Sequence, residues 1–541
     1  MERRSLIKKS LMSFLSFFSI SALANDIEKK TRVDNAPPSN IAPMKTKKKQ
    51  EETNGNIDDD TNPEDELTLD YRLYTVKRRL DESLSVKAFG ALGDGKNDDT
   101  LAIQNAIDYS KEGIINFPAG VYKITKTLKI SKNGITVRGS RAYLGGAIIS
   151  CATPNMLAIL ITSYGVKIEN IFIDGYENKE EKNDFGQIAS CIGIKFSRDT
   201  GSKDLDSIVE NCLFRYLKCA ILGYGSNLKI ANSLFTSTPN AIDLIEIQGQ
   251  EFRGHVINNN RFHKCGGNHY AKLFPDLKKS ACIKLNGHAR AMQINDNYAD
   301  FGIYSFFNGQ LMRGSSINNN IIYRADSDII VIDNSLSTED YESFLCTSNI
   351  LSNDSIVDKN ESGYLMKLTS VNGALISNNL GSFLRKGGIS CTSVSNCLFS
   401  QNMFKNINTA SREDGIIYSG IELDVDSKNN KIDGLTVFNT RKTSTGRSAI
   451  HNEGKENNVS NLYSTGATQL ITESETATTT DVINNNLNAR RTEYRSSRPT
   501  KGNYQTGDVW YSINPEELGY IGEVCVLQGS PGKWRAFGKI E

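Results

Sequence analysis

The chain has 541 residues and a formal net charge of +1, because 63 Lys and Arg residues balance 62 Asp and Glu residues. Proteins that bind nucleic acid or acidic membranes through their overall field carry a clear excess of Lys and Arg, so neither partner is expected here. The ten cysteines include no Cys-x-x-Cys pair of the kind found in zinc ribbons and redox motifs. We therefore predict that they are small buried side chains rather than a disulfide framework.

The first 24 residues resemble an export signal. Arg3-Arg4 and Lys8-Lys9 precede an apolar run from Leu11 to Leu23 with an Ala-x-Ala end. The order Arg-Arg-Ser-Leu-Ile-Lys-Lys is similar to a twin-arginine signal. The run is shorter than the about 20 apolar residues of a spanning helix, so we predict no stable membrane span. An amphipathic anchor or an unprocessed arm is the alternative interpretation.

Residues 25–82 have the composition of a disordered linker or neck. They contain Pro37-Pro38 and charged runs at Lys45 and Asp58, and they hold no aromatic residue before Tyr71. Little apolar surface can be buried there to offset chain entropy. Residues 67–80 are a candidate for a short ordered collar before the main body.

One short pattern returns from residue 83 to about residue 490: an aliphatic residue, a polar residue, Asn and an apolar residue. Many copies are spaced by about 22 to 30 residues, and repetition at such a period is typical of a stacked array. Examples are Ile168-Glu-Asn-Ile, Ile230-Ala-Asn-Ser-Leu, Ile317-Asn-Asn-Asn-Ile and Val459-Ser-Asn-Leu-Tyr.

The repeat predicts an all-β fold, a parallel β-helix. Strands such as Cys191-Ile-Gly-Ile-Lys-Phe alternate in polarity, which sends one row of side chains inward and the next to solvent. Asn tolerates left-handed geometry at the bends and can stack on the Asn one rung away, so its amides can form ladders. A leucine-rich repeat would need a strict leucine spacing and a helix in each unit, and neither is visible.

The array opens with Val86-Lys-Ala-Phe-Gly-Ala-Leu-Gly-Asp-Gly-Lys-Asn-Asp-Asp-Thr100. This motif predicts a strand, a Gly-rich turn and a short helix, with Asp98, Asp99 or Thr100 accepting from the free N–H groups of the helix. Such a helix would cover the open first rung through an apolar stripe, formed by Leu101, Ile103, Ala106 and Ile107. No Lys-Ser/Thr follows the glycines as in a phosphate-binding P-loop.

The opening motif resembles the signature of the pectate-lyase-type superfamily, which includes polygalacturonase-like enzymes and many phage tailspikes. With the repeats, the similarity covers roughly residues 84–488. The resemblance implies a right-handed β-helix with a carbohydrate-active function. The polygalacturonase pattern of Asn-x-Asp, Asp-Asp, Gly-His-Gly and Arg-x-Lys is not reproduced, so the catalytic residues of pectin enzymes are not transferred to this chain.

Residues 499–541 resemble the short terminal β-module of tailspikes and related depolymerases. Gly507-Asp-Val-Trp-Tyr-Ser and Gly529-Ser-Pro-Gly-Lys-Trp carry this likeness and include both tryptophans, Trp510 and Trp534. We predict that the two rings form the core of the module, with trimer closure or sugar stacking as alternatives. In such spikes three β-helices associate in parallel, so the resemblance implies a homotrimer and attachment to a virion through the N-terminal region.

Candidate site residues lie between about residues 240 and 335. If Ile192, Ile242, Ile283 and Ile303 are equivalent inward positions, the adjoining outward column is Gly193, Asp243, Lys284 and Tyr304. Glu246, His288 and Asp333 lie just beyond this column. The same belt holds His255, His263 and His269 and an insertion at 266–279, and loops on a rigid array are where a groove would form.

These residues fit two kinds of chemistry. Glycoside hydrolysis needs two carboxylates, about 5 Å apart in retaining enzymes and about 6.5–9.5 Å apart in inverting ones, and Asp243 with Glu246 or Asp333 is the predicted pair. A lyase would instead use Asp243, Lys284, Tyr304 and His288 to remove a proton and stabilise an enolate-like intermediate. Solvated charges and ion pairs between rungs are the alternative. No metal or cofactor is predicted, because metal-ligand spacing such as His-x-x-x-His is missing.

We predict a tailspike-like depolymerase that binds a bacterial capsular polysaccharide or exopolysaccharide and cleaves it internally. A non-catalytic glycan-binding adhesin and an exported bacterial pectin-type enzyme are the alternatives. The predicted location is the virion tail, or outside the cell if the N-terminal signal functions.

Overall fold

Three long parallel sheets form the body of the protein. The computed structural model describes residues 83–176, 190–197, 204–247, 252–265, 280–336, 343–352, 363–408, 417–439, 446–474, 477, 492–500 and 504–540, except 112, 312, 326, 466 and 518. The predicted signal segment 1–24, the linker 25–82 with its collar, and the insertion 266–279 lie outside these residues. Among the residues that are described, no helix is long and apolar enough to cross a bilayer.

The chain visits sheets 1, 2 and 3 in turn, and each strand pairs in parallel with the strands one rung before and after it. The strands of sheet 1 are Ser83–Ser85, Ile114–Phe117, Thr136–Gly139, Lys167–Glu169, Asp204–Glu210, Ser226–Ala231, Val256–Asn258, Gln293–Asn295, Ser315–Asn318, Phe344–Thr347, Leu375–Ser377, Leu398–Ser400, Lys431–Asp433 and Asn458–Ser460. Those of sheet 2 are Asp94–Asp98, Gly120–Ile124, Ala147–Cys151, Phe172–Asp174, Leu213–Arg215, Leu234–Thr236, Arg261–His263, Tyr298–Ile303, Ile321–Ala325, Ile350–Ser352, Leu380–Ser382, Met403–Lys405, Thr436–Phe438 and Tyr463–Thr465. Those of sheet 3 are Leu128–Ile130, Leu157–Ile161, Cys191–Ser197, Leu217–Tyr224, Asn240–Ile245, Ala281–Ala289, Ser305–Leu311, Ile330–Asp333, Met366–Thr369, Ile389–Thr392, Ile421–Leu423, Gly446–Asn452 and Ala467–Glu473.

Inward side chains of the three sheets stack rung upon rung into one continuous core. In sheet 2, for example, the rings of Phe214, Phe235 and Phe262 stack with centroids 5.0 Å and 5.1 Å apart. All three rings are fully buried. Burial of such a row stabilises the array, because each rung removes apolar surface of its neighbour from water. The predicted fold, a right-handed parallel β-helix, is confirmed.

Asparagines turn the chain from sheet 1 into sheet 2 and form the predicted ladder. Asn259 and Asn319 take left-handed backbone angles, with φ of 54° and 57°. The next residue in each repeat is a buried Asn whose amide binds the Asn one rung further: the Nδ2 of Asn297 donates to the Oδ1 of Asn320 at 3.0 Å, and the Nδ2 of Asn320 to the Oδ1 of Asn349 at 2.9 Å. The ladder satisfies polar groups that would otherwise be costly to bury.

A helix over Thr100–Tyr109 covers the first rung, preceded by a 3₁₀ turn at Val86–Phe89. Ile103, Ala106 and Ile107 are buried against the rung, as predicted. Leu101 was wrongly included in the apolar stripe, since it is 72% exposed. The physical reason is that Leu101 precedes Ile103 by two residues, and side chains two residues apart point to opposite sides of a helix.

Asp98 and Asp99 of the opening motif have different structural roles. The Oδ1 of Asp98 accepts the backbone N–H of Thr100 at 3.0 Å, which caps the helix. Asp99 does not cap it; its carboxylate accepts the N–H groups of Leu92 and Gly93 at 2.7 Å and 3.0 Å and so fixes the Gly-rich turn.

A small fourth sheet follows, with strands Thr492–Arg495, Val509–Ser512, Tyr520–Leu527 and Lys533–Lys539; the last three pair antiparallel. Trp510 and Trp534 are only 8% and 9% exposed and pack with Tyr504 and Cys525. The tryptophans therefore form the core of this module, as predicted, which leaves little ring surface for a sugar. All ten cysteines are free and buried, which confirms their interpretation as small core side chains.

Candidate active site on sheet 3

Asp243 and Lys284 occupy neighbouring positions on the outer face of sheet 3. The strands Asn240–Ile245 and Ala281–Ala289 pair so that Ile242 lies opposite Ile283, and Asp243 opposite Lys284. Both isoleucines are fully buried, so the next residue on each strand points outward. This part of the predicted column is correct.

The two ends of the predicted column are wrong. Ile194, and not Ile192, continues the inward row through Ile221 to Ile242, so Lys195 takes the place expected for Gly193. On the other side Phe307 lies opposite Ile283, and Asn308 takes the place expected for Tyr304.

Tyr304 lies at the corner between sheets 2 and 3, since the strand before it ends at Ile303 in sheet 2 and the strand after it begins at Ser305 in sheet 3. Alternating polarity gives the face of a strand, but the start of each strand depends on where the chain bends. Sequence alternation therefore could not fix this register.

Asp243 sits in a partly buried, hydrogen-bonded position. The Nδ2 of Asn286 donates to its Oδ1 at 2.5 Å. Burial raises the pKa of Asp243 above its ordinary value, and the charge of Lys284 and the Asn286 hydrogen bond oppose this shift only in part. Lys284 makes no ion pair with Asp243 within this described region, so the pair is not a closed salt bridge between rungs. A carboxyl group with a raised pKa is better suited to donating a proton than an ordinary one.

Glu246 and His288 form a second pair beside Asp243. The Oε2 of Glu246 accepts the backbone N–H of His288 at 2.9 Å and lies 3.2 Å from Nδ1 of its ring. Gly287 makes this approach possible, because its φ is +141° and a Cβ there would lie 2.2 Å from the Cβ of Glu246. The side chain of Glu246 remains 26% exposed, and its Oε1 receives no hydrogen bond from the described residues.

Asp333 ends a strand of sheet 3 that lies three strands beyond Asp243. Three spacings of about 4.8 Å place the two strands about 14 Å apart, beyond the separation of about 9.5 Å that an inverting pair spans. The Oδ1 of Asp333 accepts the N–H of Ser335 at 3.1 Å. The carbonyl of Leu336 approaches Nε2 of His288 at 3.3 Å, so this loop, rather than its carboxylate, contacts the cluster.

Sequence reasoning missed two residues of this cluster. Asn286 stands two residues after Lys284, so strand alternation alone would have placed it on the same face. Gln310 lies opposite His288 in the register, and its buried Oε1 has no hydrogen-bond partner in the described part of the chain. A bulge between Lys284 and His288 creates this pairing, and no feature of the sequence predicts the bulge.

The other histidines of the belt have separate environments. His255 is fully buried at a corner, and the Nδ1 of His263 lies 2.6 Å from the Oδ1 of Asp300 on sheet 2. His269 lies outside the described residues. Where side chains are described, no group of three His, Cys, Asp or Glu residues could hold a metal ion.

A second polar cluster lies on sheet 3 nearer its C-terminal end. The hydroxyl of Tyr364 donates to the Oε2 of Glu422 at 2.7 Å, and the ammonium group of Lys386 lies 5.6 Å and 5.9 Å from the ring centroids of Tyr364 and Tyr418. Burial and the Glu422 carboxylate raise the pKa of Tyr364 well above its ordinary value. Sequence reasoning did not find this cluster, because its members come from separate rungs.

Residues 83–266 match the family model described as rhamnogalacturonase A/epimerase, pectate lyase-like. This segment, less than half of the chain, is similar to that family. The resemblance inferred from the opening motif is therefore confirmed. The matched segment contains Asp243 and Glu246, whereas Lys284, Asn286 and His288 lie beyond it.

Curated relatives align over short stretches. The chain is 35% identical over 97 residues to mannuronan C5-epimerase AlgE3 of Azotobacter vinelandii, covering 16% of this chain and 5% of that protein. It is 30% identical over 147 residues to a depolymerase, capsule K30/K69-specific, of Klebsiella phage K64-1, covering 26% of this chain and 18% of that protein. The chain thus spans a small part of either relative's length.

Among solved structures, the A-module of mannuronan C-5 epimerase AlgE4 of Azotobacter vinelandii aligns with 73% of this chain and 100% of its own, at 16% identity and a TM-score of 0.42.

Proposed function

We propose that the chain is a polysaccharide-cleaving enzyme whose active site is the sheet-3 cluster of Asp243, Glu246, Lys284, Asn286 and His288. The observation that carries the proposal is the partly buried Asp243, whose pKa burial raises, three residues before a second carboxylate, Glu246, whose side chain is 26% exposed. Two carboxyl groups in unlike environments are the arrangement that acid–base cleavage of a glycosidic bond requires.

In the proposed hydrolysis, protonated Asp243 gives its proton to the glycosidic oxygen as the bond from that oxygen to the anomeric carbon breaks. Glu246 takes a proton from a water molecule whose oxygen bonds to the anomeric carbon. His288 positions Glu246 by its backbone N–H and ring, and Asn286 positions Asp243. One water is consumed, and each product gains a hydroxyl group.

A β-elimination is the second candidate, and the contact between Glu246 and His288 favours it. An imidazole oriented by a carboxylate can remove the proton next to a uronate carboxyl group, and Lys284 would neutralise the negative charge that develops there. Asp243 would protonate the leaving oxygen while the carbon–carbon double bond forms. Tyr304, placed at the corner, has no part in this scheme.

The substrate we propose is a bacterial capsular polysaccharide or exopolysaccharide, cleaved internally. The match to a capsule depolymerase of a Klebsiella phage supports it, as does an outer sheet face that continues over many rungs and can accept a long chain. We further propose that the protein acts outside the host cytoplasm, on a virion tail or after export, and that it assembles as a homotrimer.

The test is cleavage of capsular polysaccharides by the wild type and by Asp243→Asn and Glu246→Gln variants, followed by chain length, reducing ends and ultraviolet absorbance. We expect each substitution to lower the rate at least a hundredfold, the lower end of what about 10²–10⁴ of acid–base catalysis allows. Asp426→Asn, at an exposed loop position, is the matched control and should leave the rate unchanged. Circular dichroism checks that all variants fold.

New reducing ends without new absorbance identify hydrolysis, and absorbance from an unsaturated uronate identifies elimination. Polymer binding without any loss of chain length would leave an adhesin and overturn the proposal. Full activity in Asp243→Asn would remove the proposed site. Burial raises the pKa of Asp243, so this residue keeps its proton to a higher pH than an exposed Asp does. Activity that depends on this proton should fall as the pH rises through the pKa of Asp243.

A further inference from the structure

A groove runs along the corner between sheets 1 and 2, away from the outer face of sheet 3. Its volume of about 480 Å³ lies within the range of about 300–1,000 Å³ typical of small-molecule sites. It crosses four successive strands of sheet 2, a length of about 14 Å at about 4.8 Å per strand. The outward residues of these strands in the groove are Leu213, Leu234, Arg261 and Tyr298.

The lining of the groove combines flat rings with amides. Tyr143, on the loop that forms one wall, is 59% exposed, and Tyr298 is 38% exposed. Exposed Asn232 and Asn259 from the corner line the groove, with the Nδ2 of Asn259 donating to the Oδ1 of Asn232 at 2.6 Å. Rings that pack on the apolar face of a sugar, next to amides that can bind hydroxyl groups, suit a carbohydrate.

The charged side chains that line the groove are Arg141, Arg261 and the exposed Asp296. Arg261 has a side chain 57% exposed; its Nη2 donates to the Oδ2 of Asp300 at 3.1 Å, and its guanidinium carbon lies 5.4 Å from the ring centroid of Tyr298. Asp300 is 4% exposed and contacts both Arg261 and His263, so a ligand would meet an Arg261 guanidinium group that is already paired on its buried side. Arg141 adds a second guanidinium. Guanidinium groups bind carboxylates with paired, charge-assisted hydrogen bonds.

We propose that this groove binds a short uronate-containing oligosaccharide, as an attachment site separate from the cleavage site. The inference goes beyond the proposed function and rests on it only in taking a polysaccharide as the partner. A second attachment point on the same polymer would raise the effective concentration of its chain at the sheet-3 cluster. The site would hold polymer on a flank that performs no chemistry.

Calorimetry on the full chain tests this, in an Asp243→Asn background so that the probes are not consumed. The probes are tetragalacturonate, tetramannuronate and, as a neutral comparison, maltotetraose. We expect at least one uronate to bind, and its affinity to fall at least tenfold in both Tyr143→Ala and Arg261→Gln. Tyr164→Ala is the matched control, because Tyr164 is 44% exposed and does not line the groove.

Binding of neither uronate, unchanged binding in both groove variants, or equally tight binding of maltotetraose would overturn the inference. Tyr143→Ala changes an exposed loop residue, so the test survives if Arg261→Gln fails to fold. The probes are checked for cleavage after each titration, so that binding and cleavage are read separately. If Asp243→Asn cleaves normally while the groove variants lose the uronate, the proposed function fails and the inference stands; the reverse pattern rejects the inference alone.

Discussion

Burial shifts the pKa of Asp243 and the pKa of His255 in opposite directions. For Asp243, burial favours the neutral acid and raises the pKa; for His255, burial favours the neutral base and lowers the pKa to about 4. Desolvation penalises the charged form in both cases. At Asp243 the result is a carboxyl group that binds its proton more tightly than an exposed one, whereas at His255 it is a stability that depends on pH.

His255 replaces a serine seen elsewhere in the array. Its Nδ1 accepts the backbone N–H of Leu228 at 3.2 Å, whereas two other rungs use the Oγ of Ser207 and Ser315 for the equivalent bond. The Nε2 of His255 is buried and has no hydrogen bond from any described residue. Protonation would place an unpaired charge inside the core.

The folded pKa of His255 is about 4, below the ordinary value of about 6.5 in an unfolded chain. Stability from the neutral ring is therefore complete above pH about 6.5 and is lost as the pH falls from about 6.5 towards about 4, by about 3 kcal/mol. Asn at this position keeps an acceptor for Leu228 and does not titrate. We expect His255→Asn to lose about 3 kcal/mol less than the wild type across this window, measured by urea unfolding.

At pH 7.5, above the pKa of His255 in both the folded and the unfolded state, a difference in unfolding free energy between the wild type and His255→Asn reflects packing and not titration. That difference is the reference for the comparison at lower pH. Identical pH slopes for the wild type and His255→Asn would show that His255 does not titrate between the folded and unfolded states in this window.

At the scale of an element, the turn from sheet 1 to sheet 2 gives two neighbouring asparagines different roles. Asn319 is exposed and left-handed, with φ of 57°. Asn320 is fully buried and takes part in four ladder bonds: it accepts from the backbone N–H and Nδ2 of Asn297 and donates to Asn349 and to the carbonyl of Ile294. The motif Ile-Asn-Asn-Asn-Ile therefore encodes both a bend and an interior hydrogen-bond network.

We expect Asn320→Ala to lower the free energy of unfolding by about 3 kcal/mol or more, because buried donors and acceptors on both adjacent rungs lose their partners at about 1–3 kcal/mol each. Urea unfolding measures the loss. Asn319→Gly is the matched control, since glycine accepts the left-handed angle and should change stability by only a few tenths of a kcal/mol, roughly. Equal effects at the two positions would contradict the ladder's role.

At the scale of the whole molecule, an apolar strip follows the outer faces of sheets 1 and 2. Ile321, Ile350 and Met403 are 44%, 47% and 41% exposed in one column of sheet 2, and Leu345 and Leu398 are 45% and 37% exposed in the facing column of sheet 1. Contiguous apolar patches of this kind mark interaction surfaces. We assign the part of the strip from Ile350 to Met403 to the proposed homotrimer, since Ile321 lies next to Tyr298 of the groove.

Light scattering should give a mass of three chains for the wild type, and Ile350→Lys should shift it towards one chain, because three buried ammonium groups would lack partners. Ile513→Lys, at a position that is 54% exposed in the C-terminal module, is the control and should remain trimeric. A monomeric wild type would reject the trimer, and a trimeric Ile350→Lys protein would reject this strip as its interface.

The sequence by itself determined the architecture. A repeated Asn at the bend and alternating aliphatic residues are local signals, and repetition added them into one prediction of a parallel β-helix with a helical cap. Local periodicity even placed Asp243 beside Lys284, because the two strands begin in the same way. The same reasoning failed at Tyr304 and Leu101, where the position of a bend or the side of a helix decided the face.

Only the tertiary structure decided which polar residues meet. The contact of Glu246 with His288 depends on a bulge and on the missing side chain of Gly287, and Tyr364 meets Glu422 from a separate rung. The groove next to Arg261 likewise depends on a loop more than a hundred residues earlier in the chain. Stacking fixes the distance between rungs, but insertions of varied length set which residues share a rung, so the site cannot be obtained from spacing along the chain.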